Sequence, residues 1–222
     1  MTKTKVENYF DEWASDYNLA FQEEAQEKNP LQRLINFLFR RKTFYFRNKH
    51  LEDLILSLKV KNKKILDIGC GTGQMALFAA NQGAHVVGLD ISKEMIRVAQ
   101  KNAKEARLSS STKFLVKDCV KENIPSADIV FCIAVLEYYK DIEPIIKKMC
   151  QASYKTLVIC DTQFIPWRII LRKLLSYLKG FPVYYHNSLK IKAVARKYGF
   201  KTTKTIDVHT FRTYIFHREK HR

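Results

Sequence analysis

A glycine-rich turn carries the residues whose types and spacing point most directly to chemistry. The letters DIGCGTG run from Asp67 to Gly73 and follow an apolar stretch that predicts a buried strand. Glycines between a strand and a helix let the backbone approach a ligand closely and adopt dihedral angles that other residues avoid. The glycines are Gly69, Gly71 and Gly73. Gly71 to Ala76 also fits the GxGxxA pattern of dinucleotide sites, so the turn alone leaves NAD open as the ligand.

Three aspartates at the ends of three successive predicted strands narrow the choice of ligand. Asp67 lies two residues before the first glycine, where a carboxylate would repel a pyrophosphate but attract a cationic amino or sulfonium group. Asp90 ends the second strand and can accept hydrogen bonds from both hydroxyls of a ribose. Asp118 follows the third strand, where its side chain or the backbone of Cys119 can contact an adenine edge. Three acids in these places suit a cationic adenosine ligand.

Strands and helices alternate along the chain and must position these residues. Five βα repeats followed by a strand hairpin predict an α/β fold with a doubly wound, mostly parallel sheet, to which the hairpin adds an antiparallel edge. Ligands of such sheets bind outside the carboxyl ends of the strands, where the glycine turn lies. The predicted strands are Lys64–Ile68, His85–Leu89, Phe114–Val116, Asp128–Ala134, Thr156–Cys160, Lys201–Val208 and Phe211–His217.

Helices are predicted before and between these strands. The aromatic, charged residues 1–29 have helical spacing, Pro30 can open a second helix, and the apolar residues from Leu51 to Leu58 indicate a third. Ser92 is a suitable N-cap for a later helix. The later helices are predicted at Gln74–Gln82, from Ser92 to about Arg107, and at Glu143–Gln151, Ile165–Lys179 and Ser188–Tyr198.

A single domain accounts for the 222 residues, since no repeat or Pro/Gly-rich linker interrupts them. We divide it into an N-terminal helical lid, residues 1–60, a cofactor-binding core, residues 61–161, and a basic substrate-side segment, residues 162–222. No stretch has the length and hydropathy of a membrane span, and the first residues lack a secretory signal. The five cysteines form no CxxC pair, which favours reduced thiols in the cytoplasm over a disulfide framework or a metal site.

Four stretches of the sequence resemble the class I S-adenosylmethionine-dependent methyltransferases. ILDIGCGTG resembles their first motif, VVGLDIS their ribose-binding acid, KDCV their adenine-side acid and DIVFCIAVLEYY their fourth-strand motif. The opening YFDEWASDYN is similar to small-molecule members of this family, including the ubiquinone-pathway O-methyltransferases and magnesium-protoporphyrin methyltransferase. The last 60 residues look most like the protoporphyrin subgroup.

This resemblance implies a seven-stranded sheet whose last strand is antiparallel, and S-adenosylmethionine as the cofactor. The residues that it places at the cofactor are Asp67, Gly69, Gly71, Gly73, Asp90, Ile91, Met95, Asp118, Cys119 and Ile133, and we add Cys70 to them.

Aromatic residues of the first segment can cover the cofactor. Tyr9, Trp13 and Tyr17 recur at helical spacing, and aromatic faces attract a sulfonium group, so we predict a lid. The alternative is that they pack in the core of an amphipathic helix. On the acceptor side, we expect Glu137 and Tyr138 at the end of the fourth strand. The quinone O-methyltransferases usually show Glu-His there, so this chain lacks an imidazole at that position.

One histidine is a further candidate for the acceptor side. His186 follows the aromatic letters FPVYY and precedes a predicted helix, so it can act as a general base or bind substrate. The alternative is that the ring packs against the neighbouring tyrosines.

Positive charge is concentrated at the end of the chain. The net charge is +17, of which residues 162–222 carry +12. Such an excess indicates an acidic partner: a nucleic acid, an anionic membrane surface or a negatively charged substrate. The alternative is a set of solvated lysines without a partner.

The predicted helix Ile165–Lys179 is cationic and amphipathic. A helical wheel puts Arg168, Arg172 and Lys179 on one face with Ser176, and the apolar residues opposite. Those apolar residues are Trp167, Ile170, Leu171, Leu174 and Leu178. We predict peripheral contact with an anionic bilayer, from which a quinone, porphyrin or lipid-linked acceptor would be received. The alternative is that the apolar face packs on the core while the arginines are solvated.

The function predicted from these observations is methyl transfer from S-adenosylmethionine to a small-molecule acceptor, with oxygen as the expected acceptor atom. A first alternative is an RNA methyltransferase that uses the basic C-terminal segment. The chain reads AVLEYY where amino-group methyltransferases have (D/N)PP(Y/F), which makes nucleic acid the weaker choice. A second alternative is a cofactor-binding module without catalysis.

Overall fold

The computed structural model describes residues 4–19, 42–163, 166–178 and 182–219. Seven strands of this part form one mixed sheet, in which β7 runs antiparallel to both of its neighbours and the other six strands are parallel. The strands are β1 Lys64–Ile68, β2 His85–Asp90, β3 Thr112–Val116, β4 Ala127–Ile133, β5 Ser153–Thr162, β6 Phe200–Val208 and β7 Phe211–Arg218. Their order across the sheet is β3-β2-β1-β4-β5-β7-β6. This is the predicted doubly wound fold.

The five helices predicted from Gln74 onward agree with the observed ones to within a few residues, whereas the helix indicated by Leu51 to Leu58 begins earlier, at Lys42. Ser92 caps its helix as expected, since its Oγ accepts a hydrogen bond of 3.1 Å from the backbone N–H of Met95. A one-turn 3₁₀ helix, Leu136–Tyr138, follows β4. The α-helices are α1 Lys5–Leu19, α2 Lys42–Ser57, α3 Gln74–Asn81, α4 Lys93–Glu105, α5 Glu143–Ala152, α6 Pro166–Leu178 and α7 Ser188–Lys197. The predicted helix that begins at Pro30 lies outside the described residues.

Apolar side chains cover both faces of the sheet. On one face, α5 and α7 pack against residues such as Leu66 and Val130. On the other face, α2, α3 and α4 pack against residues such as Ile65 and Phe131. Alternate residues of β1 and β4 therefore enter two different core layers. With both faces covered, the carboxyl ends of the parallel strands are the place left for a ligand.

The closing hairpin confirms the predicted antiparallel last strand. β7 lies between β5 and β6 and is antiparallel to both, and β6 is the edge strand. The sequences of the two strands explain why β6 takes the edge. The letters KTTKTID of β6 are polar and mostly exposed, whereas Tyr214, Ile215 and Phe216 of β7 are buried. Lysine-rich strands suit an edge because they discourage pairing with another chain.

Two further features concern helix hydropathy and the cysteines. Within the described residues, no helix has both the length and the hydropathy that crossing a bilayer requires. The five cysteines are all free thiols.

Candidate active site

The glycine turn has the backbone conformation that its sequence predicts. Gly69, Gly71 and Gly73 have φ angles of +70°, +53° and +83°, which side-chain-bearing residues rarely adopt. A Cβ atom at Gly69 would overlap Cγ2 of Val135, so the turn also lies tightly against the segment that follows β4. The turn passes directly into α3, and the ends of β1, β2 and β4 therefore meet around one backbone loop.

Asp90 ties this turn to the end of β2. Its Oδ2 accepts a hydrogen bond of 2.9 Å from the N–H of Gly71, and its Oδ1 accepts one of 2.9 Å from the N–H of Ser92. Burial raises the pKa of the Asp90 carboxyl, although these backbone donors act in the opposite direction. Each carboxylate oxygen can accept more than one hydrogen bond, so both remain able to receive a ribose hydroxyl.

Asp67 is buried at the same edge of the sheet. None of the described residues donates a hydrogen bond to its carboxylate, whereas Asp90 has two backbone donors. Burial, and then the negative charge of Asp90, raise the pKa of Asp67 to about 7. A buried carboxyl group without an internal donor would be stabilised by a cationic or hydrogen-bonding ligand.

The carboxylate of Asp118 is engaged in its own turn. Its Oδ1 accepts from the N–H of Val120 at 3.0 Å and from that of Lys121 at 3.3 Å, and its Oδ2 lies 3.0 Å from Lys121 Nζ. Between the two predicted readers of an adenine edge, the geometry therefore favours the backbone of Cys119. The thiol of Cys119 is buried, with its Sγ 4.0 Å from the Tyr139 hydroxyl oxygen.

The other predicted cofactor residues lie near the turn with different degrees of exposure. Ile91 and Ile133 are half-buried at the ends of β2 and β4, whereas Met95 is fully buried beneath α1. The thiol of Cys70 points at β2, because a Cβ atom at Gly88 would come within 2.8 Å of its Sγ. Cys70 therefore has a packing role in addition to any contact with a ligand.

The N-terminal helix α1 joins the ends of two strands. Oδ1 of Asp11 accepts from Ser92 Oγ at 2.6 Å and from the N–H of Glu94 at 3.2 Å, at the start of α4. The ring of Phe10 meets that of Tyr138 edge-on, with centroids 5.2 Å apart. The helix thus runs from the loop after β2 to the 3₁₀ turn after β4, where a lid would have to lie.

Of the three predicted lid residues, the structure describes the side chain of Tyr9. The ring of Tyr9 is edge-on to that of Phe10, with centroids 5.2 Å apart. The side chains of Trp13 and Tyr17 lie outside the described part of the structure. Asp11, which fastens α1 to α4, was not a sequence candidate, because an acid on a helical face gives no sign of its distant partner.

Glu137, on the acceptor side, is a buried carboxylate that pairs with the partly exposed guanidinium of Arg172. The Glu137 side chain is 3% exposed, its Oε1 accepts from Arg172 Nη2, and its Oε2 accepts a hydrogen bond of 2.9 Å from Thr162 Oγ1. Nη1 of Arg172 also donates to Thr162 Oγ1 at 3.2 Å. These contacts join the 3₁₀ turn, the end of β5 and α6. The carboxylate of Glu137 is thus committed to protein partners, which argues for a positioning role.

This ion pair decides which face of helix Ile165–Lys179 is turned inward. Arg172 and Ser176 face inward, as one side of the helical wheel, whereas Ile170, Leu174 and Tyr177 of α6 are 70%, 55% and 81% exposed. The alternative in which the apolar face packs on the core while Arg172 is solvated is therefore wrong for these residues. A buried carboxylate after β4 requires a cation, and that need turns Arg172 inward.

His186 is fastened to the backbone of the 3₁₀ turn. Its Nε2 lies 3.1 Å from the carbonyl oxygen of Leu136 and donates to it, and the N–H of Tyr184 donates to the carbonyl of Glu137 at 2.7 Å. Burial lowers the pKa of the imidazole. This geometry favours the alternative in which His186 holds its loop in place. Tyr138 lies between Phe10 and Glu137, and burial raises the pKa of its hydroxyl.

Three features of this region were missed by the sequence analysis. Asp161 lies just past the predicted end of the fifth strand, and it is buried with an unpartnered Oδ1. Its signal was available, since it is one more acid at the end of a buried strand. Ala134, after β4, has φ +56° although it is not glycine. Such strain at a strand end is a frequent mark of functional sites.

Arg47 of α2 is the third missed feature. Its guanidinium is buried over the rings of Phe44 and Phe211, and its Nε and Nη2 donate to Asn48 Oδ1 at 3.2 and 3.1 Å. Nδ2 of Asn48 in turn donates to Gln74 Oε1, at the first residue of α3. No carboxylate of the described residues pairs with Arg47, which leaves a buried cation near the glycine turn.

Comparison with known proteins gives one matching family and several relatives of similar sequence. Residues 59–198, more than half of the chain, match a protein family described as a methyltransferase domain. The ubiquinone biosynthesis O-methyltransferase of Vibrio campbellii is 38% identical over 97 residues, which are 43% of this chain and 41% of that protein. The enzyme of the same name from Coxiella burnetii is 32% identical over 109 residues, 49% of this chain and 45% of that protein. The chain thus spans less than half the length of these relatives.

A solved structure matches nearly the whole chain. The magnesium protoporphyrin IX methyltransferase from Synechocystis PCC 6803, crystallised with S-adenosylhomocysteine, superimposes with a TM-score of 0.79. The match covers 98% of this chain and 100% of that one, at 21% sequence identity. At this identity the likeness establishes the fold, and the chemistry has to be argued from the site.

Proposed function

Because the chain belongs to the methyltransferase-domain family, we propose that it transfers a methyl group from S-adenosylmethionine to a small-molecule acceptor, with oxygen as the acceptor atom. The observation that carries this proposal is the pair of carboxyl groups at the glycine turn, of which Asp67 is buried and Asp90 is half-buried. Asp90 holds the turn itself, while Asp67 has no donor among the described residues. Such a site suits a ligand with a sulfonium and an amino group and disfavours a pyrophosphate.

The residues around the turn fit the parts of this cofactor. Asp90 would receive the ribose hydroxyls, the backbone of Cys119 the adenine edge, and Asp67 the amino group. Arg47 has no carboxylate partner in the described part of the chain and would receive the carboxylate of the methionine moiety. Ile91, Met95 and Ile133 would supply apolar contacts. The glycines Gly69, Gly71 and Gly73 would let the backbone approach the ligand closely.

When bound, S-adenosylmethionine supplies a methyl group on a good leaving group, so the chain has to orient an acceptor and exclude water. The helix α1 lies between the ends of β2 and β4, and the aromatic segment 182–187 is held to the 3₁₀ turn by His186 and Tyr184. The Glu137–Arg172 pair fixes α6 at the same edge. These elements would enclose the acceptor from three sides.

We further propose that the acceptor is anionic or held in a membrane, and that the protein works in the cytoplasm at the membrane surface. Two observations support this. The exposed side of α6 presents Ile170, Leu174 and Tyr177 together with Lys173, and residues 162–222 carry +12 of the net charge. Apolar side chains with basic residues beside them suit an anionic bilayer, to which each basic residue near the surface contributes about 1 kcal/mol.

The experiment that tests catalysis is a methyl-transfer assay over a panel of acceptors. The purified protein is incubated with S-adenosylmethionine and, separately, phenols, catechols, a carboxylated porphyrin, a quinol in detergent and a transfer RNA, and release of S-adenosylhomocysteine is measured. Turnover with a small molecule supports the proposal. Turnover with RNA alone would favour the nucleic-acid alternative, and cofactor binding without turnover on any acceptor would favour a binding module.

A further inference from the structure

Asp161 presents a buried carboxylate oxygen without a partner. The residue lies one position before the end of β5, and it is 4% exposed. Its Oδ1 has no hydrogen-bond partner in the described part of the chain. Buried polar atoms are nearly always hydrogen-bonded, so this exception requires an explanation.

The nearby Arg172 donates no hydrogen bond to Oδ1 of Asp161. The guanidinium of Arg172 contacts Glu137 and Thr162, and the Thr162 hydroxyl donates to Glu137 as well. Two carboxyl groups, those of Glu137 and Asp161, thus lie near one guanidinium. When both are ionised, the cluster holds one negative charge in excess, and Asp161 is the acid that carries it.

The cluster borders the proposed cofactor site. The N–H of Ala134 donates to the carbonyl oxygen of Cys160 at 2.7 Å, immediately before Asp161. The next residue, Val135, lies against Gly69 of the glycine turn. A short backbone path therefore links the turn to the end of β5.

We propose that Asp161 accepts a hydrogen bond from the hydroxyl group of the acceptor and takes its proton during methyl transfer. This inference rests on the proposed function. The acceptor oxygen forms a bond to the methyl carbon, and the bond from that carbon to the sulfonium breaks, leaving its electron pair on sulfur. The O–H bond breaks, and its proton moves to Oδ1 of Asp161. The products are a methyl ether, a neutral thioether and a protonated Asp161, which later releases its proton to water.

This arrangement selects a class of acceptor. A phenol or enol hydroxyl donates a hydrogen bond to an unpartnered carboxylate and needs a base, because its oxygen is poorly nucleophilic until the proton leaves. A carboxylate acceptor needs no base, and the excess negative charge of Glu137 and Asp161 would repel it. The reacting group is therefore a hydroxyl, even where the rest of the acceptor is anionic.

The test uses Asp161→Asn, which keeps the shape but removes the base. Protein saturated with S-adenosylhomocysteine is titrated with 4-nitrocatechol, whose visible absorbance reports its ionisation. The matched control is Asp207→Asn, which removes an exposed acid that pairs with Arg212. The wild type and the control should bind the probe with a spectral shift. Asp161→Asn should bind it at least about 10-fold more weakly and without the shift, since a charge-assisted hydrogen bond is lost.

Two other results would overturn the inference without touching the proposed function. One is equal binding of 4-nitrocatechol by the wild type and Asp161→Asn, and the other is no binding by the wild type when it binds S-adenosylhomocysteine normally. Failure of the wild type to bind S-adenosylhomocysteine would instead contradict the proposed function.

Thermal unfolding separates a role in binding from a structural one. A residue kept for function is often suboptimal for stability, so removal of an unpartnered buried charge should raise the unfolding midpoint of Asp161→Asn by about 1–4 °C. The midpoint of Asp207→Asn should change little. A marked fall for Asp161→Asn, or its failure to fold, would show that the carboxylate supports the structure and would overturn the inference.

Discussion

Asp67 and Asp161 are buried aspartates at the carboxyl ends of parallel strands, and burial is the main cause that raises the pKa of each to about 7. In the unfolded chain the same groups titrate near 3.8. Between about pH 4 and pH 7 the folded protein therefore binds more protons than the unfolded chain. The contribution of these groups to the free energy of unfolding falls as pH rises through this range. The groups around them are Asp90, Glu137, Arg172, Cys70, Cys132, Cys160, Tyr185 and Tyr214.

This linkage predicts how Asp67→Asn/Asp161→Asn behaves. Amides do not titrate, so the double variant should gain stability relative to the wild type at pH 8 and gain little at pH 5. The measurement is the thermal unfolding midpoint of both proteins at the two pH values. A difference between them that is the same at pH 5 and pH 8 would contradict the raised pKa values.

Arg47 gives a second prediction about a single residue. If its guanidinium receives the methionine carboxylate, Arg47→Met should weaken binding of S-adenosylhomocysteine by at least about 10-fold, as expected for a lost charge-assisted hydrogen bond. Binding of 5′-methylthioadenosine, which lacks the carboxylate, should change little. Arg196→Met is the control, because Arg196 is an exposed arginine of α7. Equal losses for both ligands would assign Arg47 to general packing of α2.

Sequence alone identifies residues whose role depends on their immediate neighbours in the chain. The glycines of the turn and Asp90 could be found because a strand-to-helix turn and a strand end are features of adjacent residues. Arg172 and Asp11 could not be placed, because their partners, Glu137 and Ser92, lie 35 and 81 positions away. Asp161 was missed for another reason: the predicted strand ended at Cys160, one residue too early.

The helix α6 shows how tertiary contacts decide the exposed face of an element. Its periodicity was recognised, but the inward ion pair of Arg172 leaves Ile170 and Leu174 exposed. We predict that Ile170→Ser/Leu174→Ser reduces co-sedimentation with vesicles of anionic lipid at low salt while leaving thermal stability unchanged, because neither side chain is buried. Tyr154→Ser, at an exposed position at the start of β5, is the control. No binding of the wild type to these vesicles would contradict a membrane role.

Helix α1 is predicted to act as a lid over the bound ligand. Deletion of residues 1–29 should weaken binding of S-adenosylhomocysteine while unfolding stays cooperative, because α1 packs over the strand ends and the sheet core is built from other elements. Asp11→Ala should weaken binding to a smaller extent, since it removes only the link to α4. Glu12→Ala, which changes a neighbouring exposed acid, is the control and should bind as the wild type does. Unchanged affinity after the deletion would show that α1 does not cover the ligand.

Elements were easier to predict than their arrangement. The strands and helices followed from hydrophobic periodicity and turn residues, which act over a few positions. β7 lies between β5 and β6 because the polar strand β6 is better suited to the exposed edge of the sheet. This order can be predicted only by comparing both strands of the hairpin with the rest of the sheet.

At the scale of the whole molecule, the sheet and its two covered faces direct any ligand to one edge. That edge brings together Asp67, Asp90, Asp161, Arg47 and the Glu137–Arg172 pair, which come from segments far apart in sequence. The positive charge of residues 162–222 lies largely outside these contacts. We expect this charge to speed encounter with an anionic acceptor or surface and to have little effect on the fold. Added salt should weaken that attraction.

A calorimetric titration of the wild type and Asp90→Ala with S-adenosylhomocysteine and with NAD tests whether the glycine turn binds S-adenosylmethionine. The wild type should bind S-adenosylhomocysteine and show much weaker or no binding of NAD. Asp90→Ala should lose about 1–3 kcal/mol of binding free energy, because ribose hydroxyls and the N–H of Gly71 are left unpaired. Thermal unfolding checks that this variant is folded. Tighter binding of NAD than of S-adenosylhomocysteine by the wild type would show instead that the glycine turn is a dinucleotide site.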